Sequence, residues 1–191
     1  MKKIKNALIS VSEKTDLKSI LEIMTKYKIN IISSGGTYKR IKNLGFKCSE
    51  LSSFTKFPEI LGGRVKTLHP KIHAGILNLR DNKKHKKQMN RFSFENIDLV
   101  IVNFYPFENT LKQKFNHKKI IENIDIGGPS LVRAAAKNYK YVTVVTSKEQ
   151  YLDLKVELKK FKGSTSLNFR EKMAQKAFLE TGYYDSLISE Y

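Results

Sequence analysis

The sequence predicts an α/β fold of three layers, a central, mainly parallel sheet with helices on both faces. Two observations carry this. Short, almost continuously apolar runs recur along the chain, and each is followed by a stretch with helical spacing. Strands of that kind are buried on both faces, which is the habit of parallel sheets. With 191 residues, 40% of them hydrophobic, the chain is long enough to bury one substantial core.

The elements follow in order. Residues 6–11 (NALISV) read as a first buried strand, although the opening MKKIKNALISV begins like a signal peptide. Its apolar run is too short for that role. A helix is expected over 15–26, a strand over 29–33 and, after the Gly35–Gly36 break, a helix over 37–44. Residues 46–51 suit a third short strand. Residues 61–75 read as a loop region and 76–79 as extended. Residues 97–103 (IDLVIVN) form the clearest central strand, and Pro106 marks its end. Helices are expected over 118–124, from Gly127 to about 138, and over 148–162 and 169–189, with a strand at 141–145. No apolar run approaches the roughly 18–20 residues that a membrane span requires.

The balance of 36 Lys+Arg against 18 Asp+Glu gives a net charge of +18. Only six of the cations are arginine, the residue that carries most specific phosphate and base contacts. The lysines are spread along the chain, and the densest run, 80–91 (RDNKKHKKQMNR), reads as a solvated loop or short helix. A lysine-rich surface fits better than a specific nucleic-acid footprint, with some steering of anionic substrates allowed. Cys48 is the only cysteine, so no intramolecular disulfide or cysteine-based metal site is available, and a reducing cytoplasm suits the chain.

In doubly covered sheets, ligands gather beyond the carboxyl ends of the strands. That rim would carry residues 10–15, 33–37 and 103–106. Residues 33–37 (SSGGT) admit two readings, a phosphate cradle using N–H groups with the Ser34 and Thr37 hydroxyls, or a tight turn with a Thr N-cap. The lysine spacing of a P-loop is missing. After the first strand, Ser12 is either a helix cap or, with Lys14, part of an anion site. Residues 61–75 (LGGRVKTLHPKIHAG) crowd three glycines and three cations together, the makings of a cationic pocket wall. Arg64 and Lys66 flank Val65 and would share one side of an extended segment. Asn103, Phe104 and Tyr105 end the central strand. Asp125 precedes the helix opened by Gly127–Gly128, where an acid is favoured by the dipole or, with Lys137, would make a proton-transfer pair. His69 and His73 are four apart, but Pro70 discourages a regular helix across them, and no metal site is expected.

Taken in order, LISVSEKT, SSGGT, FPEILGGRVKTLHPKIHAGIL, NFYPF, IENIDIGGPSLVRAAAKN and VTVVT resemble the N-terminal domain of bifunctional purine-biosynthesis enzymes that join a carboxamide-ribotide formyltransferase to an inosine-monophosphate cyclohydrolase. The resemblance covers essentially the whole chain. It implies a methylglyoxal-synthase-like fold, a purine ribotide substrate, a homodimer, a cytoplasmic location and no metal or cofactor. The implied reaction is the cyclodehydration of 5-formamidoimidazole-4-carboxamide ribotide to inosine monophosphate and water. Carried over position by position, Lys66, Tyr105, Asp125 and Lys137 are the catalytic set, with Lys66 beside the developing oxyanion and Asp125 accepting a proton or orienting the amide. Ser10, Ser12, Lys14, Ser34, Gly36, Thr37, Arg64 and Thr67 are implied substrate contacts on the phosphate and ribose side. Asn103, Phe104, Ile126, Gly127 and Gly128 are implied on the base side. Residues 1–171 would form the cyclohydrolase domain and 172–191 a connector toward a formyltransferase domain absent from this sequence, so that formyl transfer is not expected of it. The competing readings are a methylglyoxal-synthase-type lyase and a nucleotide-sensing regulatory domain on the same fold.

Overall fold

The computed structural model describes every residue except Pro106 and Lys114, so the strand-ending role given to Pro106 lies outside the described residues. The chain runs β1 (Lys2–Lys3), β2 (Asn6–Val11), α1 (Leu17–Lys26), β3 (Asn30–Ser33), α2 (Gly35–Asn43), β4 (Ser49–Glu50), α3 (Leu51–Thr55), a 3₁₀ turn (Leu61–Gly63), α4 (Pro70–Leu77), α5 (Lys83–Arg91), β5 (Leu99–Asn103), α6 (Phe107–Lys112), α7 (His117–Glu122), α8 (Gly127–Lys137), β6 (Thr143–Val145), a second 3₁₀ turn (Lys148–Gln150), α9 (Tyr151–Lys160), β7 (Ser164–Thr165) and α10 (Leu167–Glu190).

Five strands form one parallel sheet in the order β4-β3-β2-β5-β6. Side chains alternate across it, as the pleat requires. Ala7, Ile9, Ile31, Leu99, Ile101 and Val145 face one core with Leu17, Leu21, Met24, Leu154 and Leu158. Leu8, Ile32, Val100, Val102 and Val144 face the other with Ile72, Ile76, Val132, Ala135 and Ala177. Both faces are buried, which is why the strands read as continuous apolar runs. β1 and β7 pair antiparallel as a small separate sheet.

Several expectations need correction. The strand expected over 46–51 shrinks to Ser49–Glu50 at the sheet edge. Residues 76–77 are not extended but close α4, a helix that begins at Pro70. Pro70 holds its first position, where the missing N–H has no helical partner to lose, and His69 Nδ1 caps the start by accepting from the Lys71 N–H at 3.1 Å. Helix α2 begins two residues before Thr37, so Thr37 is no cap. Nor is Ser12, because the cap position of α1 is Asp16. Arg80 is not a solvated cation. Its guanidinium meets buried Asp98, which also accepts from the Lys5 and Asn6 N–H groups. Helix α10 is unbroken and buries Met173, Ala174, Ala177, Thr181 and Tyr184.

Candidate functional site

The sheet order reverses at β2, with β3 and β4 on one side and β5 and β6 on the other. A crevice opens beyond the carboxyl ends at such a switch. The Asn103 side chain spans it. Its Oδ1 accepts from the Ser12 N–H at 2.6 Å, the Ser12 hydroxyl at 2.9 Å and the Glu13 N–H at 3.2 Å, and its Nδ2 donates to the Glu13 carbonyl at 3.3 Å. The Ser12 hydroxyl is also 2.7 Å from the Phe104 carbonyl. Ser12 and Asn103, expected as substrate contacts, are committed to tying two rim loops together. Glu13 is fixed in turn by Thr15 and by Lys148 at 3.3 Å, contacts that hold its carboxyl down at about 2.

The N-terminus of α2 lies next along the rim. Ser34 precedes it without a side-chain cap bond, which leaves its first N–H groups available to an anion. The Thr37 hydroxyl is not available. It donates to the Val11 carbonyl at 2.9 Å and accepts from the Val11 N–H at 3.1 Å, fastening α2 to β2. Two ammonium groups stand over the helix start. Lys14 Nζ donates to the Ser12 carbonyl at 2.9 Å and lies 3.9 Å from where a side chain on Gly36 would begin. Lys66 Nζ lies 3.5 Å from the corresponding point on Gly35. Cations and helix dipole together favour a phosphate-sized anion here.

The opposite wall is the turn before α8. Asp125 Oδ1 accepts from the Gly128 N–H at 2.8 Å, and the Asp125 N–H donates to the hydroxyl of Tyr184, a core residue of α10, at 2.8 Å. Burial pushes the Asp125 carboxyl up, against the opposing pull of the Gly128 and Gly127 N–H groups and the Lys66 charge. Its oxygens fill the space a Gly128 side chain would need, and the Thr67 hydroxyl does the same at Gly127. Phe104, 8% exposed, packs at a tilt against Tyr184 with ring centroids 4.9 Å apart and walls the floor. A carboxyl with raised proton affinity, an ammonium and two helix N-termini are what proton transfer beside a developing oxyanion requires.

Other expected residues stand apart. Arg64 turns outward to a two-pronged contact with Glu122 on α7, at 3.0 and 2.8 Å, and does not share a side with Lys66. Tyr105 and Ile126 are exposed at the rim, and Ser10 is half-buried in β2. Lys137 is exposed at the far end of α8, about 15 Å along the axis from Gly127 at 1.5 Å per residue. It does not meet Asp125. His73 is half-buried, and burial pushes its ring toward neutrality. Among the described residues no three His, Cys, Asp or Glu side chains are grouped to hold a metal, and no helix is long and apolar enough to cross a membrane. Tyr184 and Glu59, which pairs with Lys66 at 3.6 Å, escaped the sequence reading. The Gly62–Gly63 turn between Glu59 and Lys66 was the available signal for the second.

A family model for the MGS-like domain matches residues 16–130, and one for the AICARFT/IMPCHase bienzyme matches residues 135–191. The bifunctional purine biosynthesis protein PurH of Persephonella marina is 51% identical over 185 residues, covering 97% of this chain and 36% of that protein. PurH of Acetivibrio thermocellus is 48% identical over 189 residues, covering 98% and 37%. The chain thus spans little more than a third of the length of these curated relatives. The crystal structure of ForH superposes with a TM-score of 0.86 at 28% identity, covering 97% of this chain and 95% of that one. The chain belongs to the family of MGS-like domains.

Proposed function

We propose that this chain is an inosine-monophosphate cyclohydrolase, closing the purine ring of 5-formamidoimidazole-4-carboxamide ribotide with loss of water, the last step of de novo purine synthesis. The observation that carries the reading is the meeting of Lys66 and Asp125 between two helix N-termini, in a chain 51% identical over 185 residues to a PurH protein. The ribotide phosphate sits at the start of α2 between Lys14 and Lys66, with the Ser34 and Gly36 segment beneath it. The carboxamide lies against Asp125, Ile126 and Gly128, and Thr67 packs beside it.

Ring closure joins the carboxamide nitrogen to the formyl carbon of the same molecule, so holding a near-attack conformer supplies much of the rate. Lys66 stabilises the negative charge that gathers on the formyl oxygen. Asp125 takes a proton from the attacking nitrogen and returns it toward the oxygen that departs as water. The second proton of that water comes from the formamide nitrogen as the new double bond forms. Tyr105, on the exposed rim, relays protons to solvent. Lys137 is assigned no contact with the reacting atoms of its own protomer. Arg64 exchanges Glu122 for substrate as it binds.

The wider setting belongs to the same proposal. The enzyme acts as a cytoplasmic homodimer, a reading supported by exposed apolar Phe57, Leu61, Leu68 and Ile126 around the site. Residues 172–191 lead toward a formyltransferase domain in the longer relatives. The test is direct. Purified protein given the formylated ribotide should yield inosine monophosphate without added metal, and Lys66→Ala or Asp125→Ala should cost on the order of a hundredfold in rate. Methylglyoxal from dihydroxyacetone phosphate, or nucleotide binding without turnover, would overturn the reading.

A further inference from the structure

Glu59 lies in the FPEILGGRVK segment but was given no role above, and it is fixed opposite Lys66 by backbone geometry. Ile60 and Val65 form an isolated antiparallel bridge, with Ile60 N–H donating to Val65 O at 3.2 Å and Val65 N–H to Ile60 O at 3.4 Å. Residues 59 and 66 are the next pair outward from a pair that exchanges both bonds. Side chains approach closest at that position. The Glu59 carboxylate and the Lys66 ammonium are 3.6 Å apart there.

The turn is shaped around that carboxylate. Leu61, Gly62 and Gly63 all have positive φ, of 54°, 63° and 95°. A side chain begun on Gly63 would lie 2.6 Å from Glu59 Oε1. Gly63 is required by its backbone angle, and Glu59 Oε1 lies in the space beside it.

The charges around Lys66 explain why it needs this partner. Its ammonium stands over the positive end of α2, beside Lys14 at the neighbouring glycine. Both disfavour a second positive charge. The other carboxyl within its influence is Asp125, whose proton affinity burial raises. Glu59 is the carboxylate that pairs with the ammonium directly.

We propose that Glu59 is a positioning residue for the ring-closing reaction, holding the Lys66 ammonium aimed over the start of α2. The inference rests on the cyclohydrolase reading and deepens it. Lys66 then arrives at the formyl oxygen already oriented, guided by a carboxylate that does not touch the substrate.

The experiment compares wild type with Glu59→Gln and Glu59→Asp. Glu59→Gln should leave KM for the formylated ribotide within about twofold and lower kcat about tenfold, equivalent to about 1.4 kcal/mol of barrier. Glu59→Asp should recover part of the lost kcat. A raised KM with kcat intact would overturn the proposal by making Glu59 a substrate contact, and an unchanged variant would overturn it outright. The position of Lys66 Nζ in crystal structures of wild type and Glu59→Gln reads the same effect without turnover. If wild type makes no inosine monophosphate, the cyclohydrolase reading fails, while an ammonium that stays over the start of α2 in Glu59→Gln defeats the Glu59 proposal separately.

Discussion

The clamp made by Asn103 gives a prediction whose size follows from its bonds. In Asn103→Leu the side-chain volume is roughly kept, but Oδ1 and Nδ2 are gone. The Ser12 hydroxyl retains the Phe104 carbonyl at 2.7 Å, so it loses little. The Ser12 N–H, part-buried and 2.6 Å from Oδ1, is left without a protein acceptor. The Glu13 N–H is exposed and turns to water. Counting about 1 kcal/mol for the first and about 0.5 for the second gives a destabilisation of about 1.5 kcal/mol. The assay is urea unfolding with an unchanged m-value, paired with amide hydrogen exchange. Exchange at Ser12 and Glu13 should accelerate while Val100, in the centre of β5, stays protected. Lys14, which reaches the anion site through a bond to the Ser12 carbonyl, loses its support, so KM for the ribotide should rise more than kcat falls. Asn103→Asp keeps the acceptor and should restore protection of the Ser12 amide. A loss below about 0.5 kcal/mol with unchanged exchange at Ser12 would refute the clamp and return Asn103 to the role of a direct substrate contact.

Two further predictions concern stability. Burial raises the Asp125 carboxyl above its unfolded value, so the folded state binds the extra proton and stability falls as pH rises through the folded pKa. Asp125→Asn keeps an acceptor for the Gly128 N–H and should raise the melting temperature at pH 8 while abolishing turnover. The gain should vanish at pH below the unfolded carboxylate value, and a lower melting temperature at pH 8 would contradict the assignment. Gly75→Ala would set a methyl 2.7 Å from the Glu95 carbonyl and 3.2 Å from Ile97, far from the rim. It should cost about 2 kcal/mol by overpacking in denaturant unfolding and leave kcat of the folded enzyme unchanged.

The sheet was legible because its central strands are buried on both faces and so carry unbroken apolar runs, as at 6–11 and 99–103. The start of α4 was not, because Pro70 reads as a helix breaker unless its N1 position is known. The site was legible in its residue types more than in their roles. Thr37, Ser12 and Asn103 look ligand-facing in sequence, yet each has an internal partner 26 or 91 residues away, a contact that local sequence does not reveal. The proton affinity of Asp125 depends on burial beneath α10, whose Tyr184 is 59 residues on. Arg64 and Lys66 diverge because the turn at Leu61–Gly63 folds the segment into a hairpin instead of an extended wall. Lys66 and the Asp125 turn, grouped by the family resemblance and not by periodicity or spacing, lie within electrostatic reach of each other.

The central claim is that one ribotide bridges the start of α2 and the Asp125 turn. A crystal structure with inosine monophosphate bound tests it most directly. The account predicts the phosphate on the N–H groups at the start of α2 between Lys14 and Lys66, and the base edge against Asp125 and the Gly127–Gly128 turn. A nucleotide seated instead in the groove between Tyr105 and α10, with Lys66 and Asp125 untouched, would contradict it.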